Sequence, residues 1–80
     1  MVEAQVKQVD RANKVLVVQT ADGKEISMHV GEHANVEVLE PATAGLISGT
    51  LDDIEVGYLV NLEYTEGAGG CSCSSLECIS

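Results

Sequence analysis

The chain has 80 residues, a formal net charge of −9 and a composition that is 45% hydrophobic, with no Trp, no Phe and two Tyr. Such a length makes one small domain with a marginal core, which the missing aromatics leave to Val, Leu, Ile and Ala. Thirteen acids against four Lys and Arg repel phosphate backbones and anionic lipid, which argues against nucleic acid and against docking on a membrane surface.

Residues 2–10 open with Val2, Ala4 and Val6 set against Glu3, Gln5 and Lys7, the period-two alternation of a half-buried strand. The phase shifts near Val9, as a β-bulge would cause. Asp10 to Asn13 supplies the polar residues of a turn. Residues 14–20 are nearly continuous β-branched sequence, the best strand in the chain. Asp22-Gly23 then signals a tight two-residue hairpin, because Gly tolerates the positive φ such turns need.

Residues 25–30 alternate again, with Ile26, Met28 and Val30 on one face and Ser27 and His29 on the other. A loop at Gly31–His33 leads to a fourth strand over 35–40, with Val36 and Val38 inward and Pro41 ending it. Residues 42–49 are small, apolar and turn-rich, and carry no clear signal. Thr50 reads as a cap on one short helical turn whose Leu51 and Ile54 would plug the end of a core. Gly57 precedes the last strand, 58–65, with Tyr58, Val60, Leu62 and Tyr64 on one face.

Five short strands with a hairpin and a plug predict an all-β fold, a small five-stranded OB-like barrel over residues 1–66. Closure would also remove free edges from strands rich in Val. Residues 67–80 follow as a Gly hinge and a flexible Cys-rich tail. No run reaches the ~18 apolar residues that span a bilayer, so no membrane insertion is expected. If Met1 is the natural start the chain is expected in the cytoplasm; if a signal peptide was removed, the compartment is open, the periplasm included. So small a core without Phe or Trp also favours oligomerisation or metal binding, and a homodimer is expected.

The order Val6-x-x-Val9-Asp10, a strand, the Asp22-Gly23 hairpin and a second strand resembles small bacterial five-stranded barrels, as does Leu51-Asp52-Asp53-Ile54-x-Val56-Gly57 leading into a final strand. The periplasmic copper chaperones that serve metal efflux pumps belong to that group. The likeness spans roughly residues 4 to 65 and implies an OB-like barrel. Copper in those chaperones is held by one His, two Met two positions apart on a strand, and a covering Trp. Here only Met28 and two His are available and Trp is absent, so that site does not carry over. Met28 is read as core.

All three cysteines lie in the last ten residues, as Cys71-x-Cys73 and Cys78. An odd number of thiols leaves one over from any disulfide framework, which favours reduced Cys. Thiolates at this spacing could hold Zn or Cu(I), with His29, His33 or Glu77 as a further ligand. The metal site expected is therefore Cys71, Cys73, Cys78, His29 and His33, and the function expected is capture of a soft metal ion for transport, sensing or delivery. The structural alternative for His29 and His33 is a pair of solvated polar-face residues.

Gly69-Gly70 before a segment rich in Cys and Ser (Ser72, Ser74, Ser75, Ser80) also suits a second function. The chain could be the precursor of a ribosomally made modified peptide, with residues 71–80 as core. A third reading is an interaction or scaffold domain with a protein partner. No phosphate loop, nucleophile motif or isolated carboxylate pair points to an enzyme. Asp52 and Asp53 read as early-turn acids beside Thr50.

Overall fold

Alternating apolar residues on both sides of short polar turns put most of the described residues into strands. The computed structural model describes residues 2–40, 42–43 and 45–79. Its strands are β1 (Val2–Asp10), β2 (Val15–Thr20), β3 (Glu25–His29), β4 (Asn35–Leu39), β5 (Leu46–Ser48), β6 (Leu59–Gly67) and β7 (Gly70–Cys78), with a 3-10 turn at Leu51–Asp53. Among the described residues no helix is long and apolar enough to cross a membrane. Pro41, expected to end the fourth strand, lies outside the described residues, as does Ser80.

β1, β2 and β3 form an antiparallel meander, with Val6 facing Val18 and Leu16 facing Met28. On the other side of β1 lies β6, Ala4 opposite Val60. β7 returns antiparallel along β6 and meets β3 in parallel at Met28–Cys71 and His29–Ser72. That last ladder joins β1-β2-β3-β7-β6 into a ring. The fold is a closed five-stranded barrel. β4 takes over from β3 along the later half of β7, through Asn35–Ser75 to Glu37–Glu77, and β5 is added outside it.

The barrel is filled by aliphatic side chains, including Val6, Leu16, Val18, Val60, Leu62 and Leu76. Met28 is buried among them, as its strand phase requires. Ile54 is 0% exposed and stops one end of the barrel. The Thr50 hydroxyl accepts from the Asp52 N–H, and the Asp53 carboxylate accepts from the Thr50 N–H at 3.0 Å. This reciprocal capping fixes the short turn that delivers the plug.

Two bulges reset the inward phase. In β1 the pairing steps from Val6–Val18 to Gln8–Val17, leaving Lys7 extra, so that Val9 packs against the core as expected. In β7 it steps from Tyr64–Cys73 to Glu63–Ser75, leaving Ser74 extra. The β2–β3 turn differs from the two-residue hairpin expected. Thr20 N–H donates to the Lys24 carbonyl and Gly23 N–H to that of Thr20, both at 2.9 Å, which leaves three residues in the loop. Gly23 sits at φ +88°, the left-handed position that three-residue hairpins require.

The flexible tail expected over 67–80 is corrected by β7. Gly67 and Gly70 face each other across a tight β6–β7 turn, with Gly70 at φ +110°, so the Gly-rich segment is a hairpin and not a hinge. The chain is therefore not divided into a barrel of 1–66 and a loose 67–80. Inward residues Cys71 and Cys73 precede the Ser74 bulge and Leu76 and Cys78 follow it, giving two short period-two runs in opposite phase. Read without the bulge, this segment shows no alternation at all.

Truncation after residue 69 is expected to abolish the barrel, because it removes the strand that pairs with β6, β3 and β4. Circular dichroism and amide proton dispersion check this, and a truncated chain that kept native dispersion would contradict the assignment of β7. Ile54→Ala should cost about 2–5 kcal/mol in denaturant unfolding, the range for a large-to-small change at a filled site.

Candidate functional site

The cysteines take their environment from β7. Cys73 is 6% exposed and Cys78 5%, both inside the barrel, while Cys71 packs half-buried at its rim. No disulfide joins the three. Cys73 Sγ donates to the Ser75 carbonyl at 3.4 Å, one residue beyond the bulge, where the Ser74 hydroxyl donates to the Glu63 carbonyl at 3.1 Å. Burial pushes the Cys73 thiol above its ordinary value of 9.0, and the contact with Ser75 only partly opposes the shift. A thiol in that state is a small hydrophobe, not a ready ligand.

The histidines lie elsewhere. His29 is exposed on β3, since Ile26 and Met28 take the inward positions, and it stands beside Ser72 in the ladder. His33 is exposed in the link between β3 and β4. On β3, His29 therefore faces away from the core that holds Cys73 and Cys78. Among the described residues no group of three or more His, Cys, Asp or Glu is placed to hold a metal ion. Of the serines read as modification sites, Ser72 and Ser74 face out and Ser75 is half-buried.

The charged groups of interest serve the turns. Asp10 is held below the usual carboxylate range by the Asn13 side chain and then by the Asn13 N–H. Asp22 is lowered in the same way by the Thr20 hydroxyl and the Lys24 N–H. A cleft of about 380 Å³ opens between the β1–β2 turn, the β3–β4 link and the plug. It contains two of the chain's four cations, Arg11 and Lys14. Arg11 donates to the Ile54 carbonyl at 2.8 Å and lies 3.7 Å from Asp52, and Lys14 lies 3.4 Å from Glu32. Both cations already have partners, and Arg11 ties the turn to the plug.

The flap of β4 and β5 packs Val36 into the core yet leaves large apolar side chains exposed on its other positions. Leu39 is 41% exposed, Leu46 43% and Ile47 45%, and Leu39 faces Leu46 across the ladder. Among the described residues β5 pairs with β4 on one side alone. The bonds Gly49 N–H to Val36 C=O and Glu40 N–H to Gly45 C=O, both 2.8 Å, fix the register of this pair. Ile47 and Val38 are then the pair that exchanges bonds, and Leu46 and Ser48 turn their N–H and C=O groups to the open edge. Sequence reading left residues 42–49 without an element and missed this strand. Its one signal was the Leu46-Ile47 pair after Gly45, too short to show a period.

Comparison of the chain with protein-family models, curated proteins and solved structures gave no match.

A small thiol reagent at neutral pH should modify Cys71 first, and Cys73 and Cys78 only on unfolding. Equal rates for all three in the native protein would contradict their burial. The raised Cys73 value also sets a sign for stability: its contribution is full below pH 9.0, the ordinary value, and is lost as pH rises through the folded one. Tyr58, raised chiefly by its hydrogen bond to Glu55, acts in the same direction. The Cys73 part is therefore read as the difference in unfolding free energy between the native chain and Cys73→Val, flat below pH 9.0 and falling above it.

Proposed function

We propose that the chain is a small non-catalytic interaction module whose contact surface is the β4–β5 flap. The observation that carries this reading is the open edge of β5, with Leu46 and Ile47 exposed on it and Leu39 exposed beside it on β4. An unpaired edge offers main-chain donors and acceptors for strand addition, and adjacent apolar side chains add buried area. The acidic remainder of the surface favours solubility and weakens association elsewhere. An OB-like relationship is part of the proposal, supported by the ring order β1-β2-β3-β7-β6, with β3 and β7 parallel.

Soft-metal capture by Cys71, Cys73 and Cys78, with His29 or His33 completing a Zn or Cu(I) site, has less support. Two of those thiols fill the core, so ligation would first have to peel β7 from β6, β3 and β4. The precursor reading meets the same obstacle, because cleavage after Gly70 would remove nearly all of the closing strand.

Native mass spectrometry of the full chain, purified anaerobically from its own host, tests the three readings together. The expected result is a metal-free, unmodified mass found in a protein complex that Ile47→Lys disrupts without changing the far-ultraviolet spectrum. A metal-sized increment lost in the Cys71→Ser, Cys73→Ser double variant would replace this function with metal capture. Loss of water, or of the last ten residues, would replace it with the precursor class.

A further inference from the structure

The two outward-facing residues of β5 stand symmetrically about Ile47. A second strand of identical sequence, running antiparallel, would place Leu46 of one copy opposite Ser48 of the other and bring the two Ile47 residues face to face. Each Leu46–Ser48 pair would exchange two main-chain bonds, giving four in total, while the Ile47 pair takes the close, non-bonded position where side chains meet. The edge is thus complementary to itself, as a two-fold interface must be.

Charge selects this face over the others. A body of charge −9 repels its copy wherever acidic surfaces meet, yet residues 41–51 contain no charged side chain. The other open stretches of sheet are guarded. Past Leu62 the β1–β6 ladder ends, and the exposed part of β6 carries Glu63 and Glu66. Before Met28 the β3–β7 ladder has not begun, and β3 carries Glu25 there. Charged residues on an edge are a standard protection against strand addition, and β5 lacks it.

We propose that β5 is a homodimer interface, in which two copies pair antiparallel through Leu46–Ser48 about a two-fold axis at Ile47. The proposal rests on the interaction-module reading and names its partner as a second copy of the chain. Three residues limit the ladder to those four bonds. The dimer is accordingly weak and concentration-dependent, in the class of small transient interfaces.

Sedimentation of the purified full chain, up to about millimolar concentration, tests the proposal alongside amide hydrogen exchange. The expected result is a monomer–dimer equilibrium in which the Leu46 and Ser48 amides gain protection as the dimer forms. Ser48→Pro removes an edge donor from each copy and leaves the Ile47–Val38 bonds in place, since Pro is tolerated where its nitrogen faces outward. It should weaken the dimer by about tenfold or more, the loss of two main-chain bonds, while the monomer keeps its fold. A dimer unchanged by both Ser48→Pro and Ile47→Lys would use another face and overturn the proposal. A strict monomer at every concentration would also overturn it. If that monomer still bound a different protein through β5, the interaction reading would stand, and if it bound nothing there, both would fall.

Discussion

The short parallel ladder between β3 and β7 is the constraint on which the rest of the structure depends. It pairs only Met28 with Cys71 and His29 with Ser72, yet it joins the strands on either side of β1 into a ring. Without it, the sheet would run open from β3 to β5 and the aliphatic side chains inside would face water. Its register rests on the Ser74 bulge. A one-residue slip in a strand exchanges its inner and outer faces, and the bulge supplies that slip in mid-strand. Cys71 and Cys73 can therefore point inward against β3 and β6 while Leu76 and Cys78 point inward beside β4.

The core that results is stabilised by small residues. Lacking Phe and Trp, the barrel is filled by Val, Leu and Ile, one Met, and two thiols that behave as compact apolar groups. This explains why cysteines at so suggestive a spacing serve packing. Burial raises the Cys73 value, which keeps its thiol neutral, and a neutral thiol costs little to desolvate. The plug follows the same economy of size: a capped turn three residues long delivers Ile54 to the open end, and Arg11 fastens that end to the β1–β2 turn.

Closing a barrel removes edges from the strands within it, but β4 continues along β7 after β3 has left off, and so carries an edge outward again. β5 covers β4 and becomes the new edge. The chain keeps that strand short and uncharged in a molecule otherwise dense with carboxylates.

The all-β class, the inward faces of β1, β3, β4 and β6, the presence of a turn at Gly23 though not its length, and the Thr50-capped plug were legible in the sequence. Each depends on residues close together in the chain, where period-two alternation and turn chemistry act directly. The metal-like spacing of Cys71, Cys73 and Cys78 was legible too, but spacing carries no information about which face of a strand a side chain takes. That was decided by an unpaired Ser74 and by partners more than forty residues away in β3. The edge of β5 was likewise invisible, because an edge is defined by the absence of a neighbour, and neighbours in a sheet are assigned only when the whole chain has folded.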